Sequence, residues 1–111
     1  MTTKAVVLTA LFALVSVTAL RAQQAADAAV LYAKTCASCH GAAGTPSPAI
    51  ARSMAGIPDF ADARAMASVP DSVLRNAISA GKGRMMMSYK SRFTPVQIAS
   101  LVTYIRTLSR H

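Results

Sequence analysis

The feature that most constrains this chain is the segment Cys36-Ala-Ser-Cys39-His40. Two thiols three residues apart lie on one face of a helical turn, where each can add to one of the two vinyl groups of a haem. The histidine beside the second thiol then falls under the iron as an axial ligand. Because Cys-x-x-Cys-His is typical of c-type haem attachment, the segment predicts one haem c, bound covalently through two thioethers and ligated by His40.

Other uses of this segment fit the sequence less well. Cys36 and Cys39 are the only cysteines. A structural zinc site takes four ligands, and only the terminal His111 remains as a further Cys or His. A thioredoxin-like pair is typical of a βαβ setting, and the sequence shows no strand-like alternation. A haem-free protein whose two thiols cycle through a disulfide is retained as a rival hypothesis.

The first 22 residues have the composition of a secretory signal peptide. Lys4 supplies the positive charge, the segment from Ala5 to Leu20 is apolar, and the small residue Ala22 precedes two glutamines. The apolar run of about 16 residues is shorter than the ~20 residues of a membrane-spanning helix. We therefore predict a cleaved signal peptide over 1–22 and a domain over 23–111 exported to the periplasm, with membrane anchoring only if the signal stays uncleaved.

Helix-forming segments alternate with turns in the rest of the chain, which predicts an all-α fold of about four helices. The clearest one follows Thr94, an N-cap, and has Pro95 at its first position and apolar residues at helical spacing after it. Three further helices are expected over residues 26–37, 59–67 and 71–80.

Residues 41–58 are rich in Gly, Pro and Ser, with apolar residues interleaved, and predict an ordered loop that wraps the histidine side of the haem. The carbonyl of Pro48 is a candidate acceptor for the second imidazole N–H of His40. A bond of this kind orients a ligating histidine and raises its basicity.

The second axial position of the iron needs another ligand or stays open. The run Met85-Met86-Met87 lies in a loop between two predicted helices. Thioether sulfur is a soft, uncharged ligand, and His/Met ligation raises the reduction potential. Methionine is otherwise common as a core filler, which is the interpretation we prefer for Met54 and Met66. The residues alone leave all three consecutive methionines as candidate ligands.

Four segments of the chain resemble those of small monohaem class I cytochromes c, and the resemblance covers nearly all of residues 23–111. They are Leu31-Tyr32-Ala33, Cys36-Ala-Ser-Cys39-His40-Gly41, Asn76-Ala-Ile-Ser-Ala-Gly81-Lys-Gly83 and Leu101-Val-Thr-Tyr104-Ile105-Arg106. The resemblance implies the class I cytochrome c fold around one covalent haem c. It also implies that the first and last helices cross, with Ala28 and Tyr32 on one and Leu101 and Tyr104 on the other.

The same resemblance points to one methionine of the run. In this family the ligand usually opens a Met-Pro-small-aromatic segment, and alignment on Tyr89 and Phe93 places the ligand at Met86. Met87 then stands where the family usually has proline. This departure keeps Met85 and Met87 as alternatives.

The resemblance implies a single-electron carrier that is not an enzyme by itself. Two other functions stay open, a haem sensor or small-ligand binder with a weak sixth ligand, and a haem subunit of a larger oxidoreductase.

Residues 23–111 hold ten Lys and Arg against four Asp. The basic residues Lys82, Arg84, Lys90 and Arg92 flank the methionines, so we expect a basic patch that meets the acidic surface of a redox partner protein. Nucleic acid binding is disfavoured, because these residues form no recognised motif.

Overall fold

The computed structural model describes the backbone of residues 3–109 and the side chains of residues 13–109. The side chain of Lys4, and residues Arg110 and His111, lie outside the described residues. Within that range the chain forms six helices and no strand: α1 (Thr3–Thr35), α2 (Ala37–His40), α3 (Pro48–Ser53), α4 (Ala63–Ala67), α5 (Asp71–Ala80) and α6 (Pro95–Leu108). The all-α prediction is confirmed.

The core is built around the crossing of α1 and α6. Ala28 and Tyr32 lie four residues apart on one face of α1 and are each only 1% exposed, and Leu101 on α6 is fully buried. The rings of Tyr32 and Tyr104 meet across this crossing, with centroids 5.2 Å apart. The helix crossing implied by the family resemblance is therefore present at the expected residues.

The start of α6 is specified by its own sequence. The Thr94 hydroxyl accepts a hydrogen bond from the Gln97 backbone N–H at 3.1 Å, and the Gln97 side-chain oxygen accepts one from the Thr94 backbone N–H at 2.8 Å. This reciprocal capping box satisfies donors that a helix N-terminus leaves without partners. The apolar face of α6 is buried as predicted, through Ile98, Leu101, Val102 and Ile105.

Two predicted helix boundaries are wrong. The helix expected over 26–37 is the end of α1, which stops at Thr35, so that α2 and not α1 carries Cys39. The helix expected to begin at residue 59 begins at Ala63, because the Asp62 carboxylate caps it by accepting hydrogen bonds from two backbone N–H groups of its first turn. The Asp59 carboxylate instead accepts hydrogen bonds from the Thr45 hydroxyl and the Ala61 N–H.

The loop expected over 41–58 contains the short helix α3. The hydroxyl of Ser47 accepts a hydrogen bond from the Ile50 N–H at 3.3 Å, and Pro48 occupies the first helical position. A Ser followed by Pro is a recognisable helix start, so the sequence carried a signal that the high Gly and Pro content of the loop obscured.

The first part of α1 stands apart from the core. Residues 13–22 are exposed, and the helix runs without a break past Ala22. Cleavage at that point stays a prediction. No helix in the described part of the chain is both long enough and apolar enough for a membrane span.

Candidate haem site

The cysteine motif lies in a helical turn at the end of α1. Cys36 follows α1 directly, and its N–H donates to the Tyr32 carbonyl at 2.8 Å. The His40 N–H donates to the Cys36 carbonyl at 2.9 Å. The first thiol and the imidazole are therefore separated by one helical turn. Both cysteines are free thiols and half-buried. The turn thus has the geometry that the motif requires for attachment at two points.

His40 is held by an aromatic ring rather than by a hydrogen bond. Its imidazole stacks on Phe60, with ring centroids 4.6 Å apart and planes 13° from parallel. Nδ1 is buried and has no hydrogen-bond partner, so the predicted bond to the Pro48 carbonyl is not formed. Pro48 is the first residue of α3, and the carbonyl of such a residue is directed into its own helix.

Burial shifts the pKa values of His40 and Cys36. Desolvation lowers the pKa of His40, which favours the neutral imidazole that a metal ion requires. Desolvation, with a smaller contribution from the neighbouring Cys39, raises the pKa of Cys36 to about 11. Cys36 is therefore a protonated thiol at neutral pH. Because Nδ1 of His40 is buried, Nε2 is the imidazole nitrogen available to a ligand.

A cleft of about 980 Å³ opens beside the motif, at the upper end of the range for cofactor pockets. We call the lining residues Cys36, Cys39, His40, 53–58 and Phe60 the histidine side of the cleft. We call the lining residues of α5 and of residues 81–89 the methionine side, and residues 81–89 the methionine loop. The cleft therefore brings both cysteines, the histidine and all three candidate methionines to one space.

The three methionines differ in their burial. Met86 is half-buried and packs against the core, whereas Met85 and Met87 are each 58% exposed. Met87 also has another partner, because a guanidinium N–H of Arg92 lies 3.6 Å from its sulfur. Of these three methionines, Met86 is therefore the one that is partly shielded from solvent rather than placed on the surface.

The charge around the cleft is one-sided. Lys82 is the only charged residue among those that line it, and none of the four aspartates does. Lys82, Arg84, Lys90 and Arg92 are all exposed around the methionine loop, and we call them the basic rim. Of the four residues expected to form a basic patch, all are exposed and Lys82 lines the cleft.

Sequence reasoning missed two residues of the site. Phe60 lies twenty positions from His40, and no motif signals that the two rings stack. Val73 of α5 also lines the cleft and is 48% exposed, while Leu74 and Ile78 of the same helix are buried. Leu74, Ala77 and Ile78 line the cleft as well, so this part of α5 serves both the core and the cleft.

The residues of the cleft fit a c-type haem. Two thiols, an imidazole and the thioethers of the methionine loop line the same cleft, and the remaining lining is largely apolar. A haem is a large apolar body whose iron accepts imidazole and thioether ligands. An exposed apolar side chain such as Val73 gains a partner surface when the cleft holds such a group.

Comparisons with known proteins agree with this geometry. The family model described as cytochrome c matches residues 25–109. Among solved structures, the chain is similar to the KustC0563 c-type cytochrome, with a TM-score of 0.67 and 32% identity over 74% of this chain and 96% of that one. A Tyr-to-Phe mutant of Kustc0563 gives a TM-score of 0.66 and 31% identity over 75% of this chain and 99% of that one. Curated protein sequences give no match.

Proposed function

Because the chain belongs to the cytochrome c family, in which haem serves electron transfer, we propose that it is a periplasmic carrier of single electrons with one haem c. The observation that carries this proposal is the single cleft lined by Cys36, Cys39, His40 and Met86. Small cytochromes c of this family are generally carriers rather than enzymes and are typically exported. The protein itself is then a carrier without substrate turnover.

The histidine side anchors the group. Cys36 and Cys39 would hold the haem through thioether bonds. The imidazole of His40 would hold its iron, and Phe60 limits the orientations of the imidazole ring. Once bound, the haem supplies one-electron chemistry, since its iron is stable in both the ferric and the ferrous state.

On the methionine side, the thioether of Met86 would hold the iron. Its half-buried position against the core supports this assignment over Met85 and Met87, which are exposed. A neutral, soft sulfur stabilises the ferrous form and raises the reduction potential. The apolar lining from α5 and α4 excludes water from this space, and fixed ligands on both sides leave little to rearrange when the charge of the site changes.

The basic rim is the docking surface for a partner. With its four positive side chains exposed beside the cleft and no carboxylate lining it, the rim attracts an acidic surface and turns the cleft edge toward it. The partner is then a reductase, oxidase or dehydrogenase with an acidic docking face.

The carrier function is tested with protein matured by a c-type haem system. We expect a mass increase of one haem that survives denaturation, and a reversible redox titration with the slope of about 59 mV per decade of a one-electron couple. Carbon monoxide should leave the reduced spectrum unchanged. Ready binding of carbon monoxide would instead support a small-ligand sensor, and a lack of covalent haem would support the dithiol hypothesis.

The docking surface is tested with small redox reagents of opposite charge. The triple variant Lys82→Gln, Arg84→Gln and Lys90→Gln should react roughly tenfold more slowly with ferricyanide at low salt, and no more slowly with a cationic cobalt complex. A triple variant at Arg52, Arg64 and Arg75, exposed residues that do not line the cleft, removes the same charge elsewhere. Equal losses in both triple variants would show that only net charge matters.

A further inference from the structure

The methionine loop contains no proline and begins with two glycines in three positions, Gly81 and Gly83. Such a segment has a large conformational freedom to lose when it holds a ligand at iron. Given the proposed His/Met ligation, on which this inference rests, we propose that Ser88 is a positioning residue: its hydroxyl clamps the loop onto the C-terminal end of α5 and so keeps Met86 at the iron.

The clamp uses the last carbonyl groups of α5, which have no partner within the helix. The Ile78 carbonyl accepts a hydrogen bond from the Tyr89 N–H at 3.0 Å. The Ser79 carbonyl accepts two, from the Lys90 N–H at 3.2 Å and from the Ser88 hydroxyl at 2.6 Å. The chain just after Met87 is therefore fastened to α5 at three consecutive residues.

The other end of the loop is fastened as well. The Lys82 N–H donates to the Met86 carbonyl at 2.8 Å. A Cβ atom on Gly81 would lie 2.5 Å from that carbonyl oxygen, so the backbone of Met86 passes directly over the end of α5. Met86 thus lies between two attachments, which restrict how far its backbone can move away from the cleft.

Ser88 makes the one hydrogen bond among these four that involves a side chain. The other three join backbone groups. The Ser88 hydroxyl makes the shortest of the four bonds and is partly buried, where water replaces it poorly. Ser79, by contrast, contributes its carbonyl and not its hydroxyl. The two serines are therefore a matched pair, one on each side of the same hydrogen bond. Only the hydroxyl of Ser88 should affect how firmly the loop is held.

Loss of the Ser88 hydroxyl favours an open form of the methionine loop, in which Met86 has left the iron. An external ligand that competes with Met86 binds only the open form, so its apparent affinity follows the open fraction. Removal of one ordinary neutral hydrogen bond corresponds to a change of about fivefold in that equilibrium. The remaining backbone bonds keep the chain folded, so the global fold is retained while the ligand exchanges more easily.

The test measures imidazole binding to the ferric holoprotein and the sulfur-to-iron charge-transfer band. We expect Ser88→Ala to bind imidazole about fivefold more tightly than wild type and to lose the band at a lower temperature. Ser79→Ala, which keeps the accepting carbonyl, and Ser88→Thr, which keeps a hydroxyl, should both behave as wild type.

Three outcomes overturn the clamp. Imidazole affinity of Ser88→Ala equal to wild type would show that the hydroxyl does not hold the loop. An equal increase in Ser79→Ala would show that the effect comes from general loosening of α5. A wild type without the charge-transfer band would contradict the proposed Met86 ligation and the clamp together, whereas the first two outcomes leave that ligation intact.

Discussion

The two sides of the cleft are built in different ways. On the histidine side, the motif follows the end of α1 where that helix crosses α6, and His40 stacks on the buried ring of Phe60. On the methionine side, the ligand candidate lies in a loop between two exposed methionines, fastened to α5 by hydrogen bonds. One ligand is thus held by a buried ring of the core, and the other by partial packing against the core together with a few local hydrogen bonds.

This difference separates the stability of the fold from the stability of the iron–sulfur bond. Core contacts each contribute several kcal/mol, whereas a single neutral hydrogen bond contributes about 1 kcal/mol. Changes on the histidine side should therefore lower the stability of the fold, and changes on the methionine side should release the sulfur from a folded protein. The experiments below test that separation.

The largest expected loss of stability comes from a change at the crossing of α1 and α6. Leu101→Ala removes a fully buried side chain from α6, and we expect a loss of about 3 kcal/mol in the free energy of unfolding. Denaturant titration of the holoprotein measures this loss. Val96→Ala, at a position of the same helix that is 59% exposed, should cost under about 0.5 kcal/mol. Similar losses for the two variants would contradict the crossing as the source of stability.

The second effect falls on the methionine loop. Gly81 has a φ of 78° and a ψ of −179°, a conformation found almost only in glycine. Gly81→Ala adds a Cβ 2.5 Å from the Met86 carbonyl oxygen, and we expect a cost of about 2 kcal/mol with a weakened charge-transfer band. Gly83 also has a positive φ, 64°, but a Cβ there meets nothing within 4 Å.

Gly83→Ala is therefore the control that carries backbone strain without the clash. It should cost about 1 kcal/mol and retain the band. Loss of the band in both variants would mean that loop strain alone, and not the close approach at Gly81, governs the position of Met86.

A smaller effect should appear on the histidine side without any change at the sulfur. The Tyr32 hydroxyl donates to the Gly41 carbonyl at 2.8 Å, just beyond the motif. Tyr32→Phe removes this partly buried bond, and we expect a loss of about 1 kcal/mol in unfolding free energy with an unchanged charge-transfer band. A weakened band in Tyr32→Phe would show that the two sides are coupled.

The smallest effect is expected at Arg92, whose guanidinium contacts the Met87 sulfur and lies 5.6 Å from the centroid of the Tyr89 ring. Arg92→Gln should lower stability by about 0.5 kcal/mol and leave the optical spectrum unchanged, because neither contact involves Met86. Thermal unfolding followed by circular dichroism measures the first, and absorption spectroscopy the second. A spectral change would mean that Met87 takes part in ligation.

Features specified by residues close together in sequence were predictable. The capping box at Thr94 and the Cys-x-x-Cys-His turn are complete within a few positions, and both are present in the structure. The same holds for the stop of α5 at Gly81. Short-range hydrogen bonding decides such features before tertiary packing does.

Features that depend on distant partners were not predictable. The Phe60 stack on His40 joins two separate segments, and the expected Pro48 bond fails because Pro48 opens a helix instead. The difference in burial between Met86 and its two neighbours arises from how the loop folds back on α5. Identical side chains in a row carry no pattern that separates them, and the assignment of Met86 stays a prediction.

Ligation by Met86 is tested most directly by the optical spectra of three single variants, Met85→Leu, Met86→Leu and Met87→Leu, in the ferric holoprotein. The sulfur-to-iron charge-transfer band should be lost in Met86→Leu alone, and only that variant should bind carbon monoxide when reduced. The other two should match wild type. A band that persists in Met86→Leu and disappears in either neighbour would contradict the assignment of the half-buried methionine as the ligand.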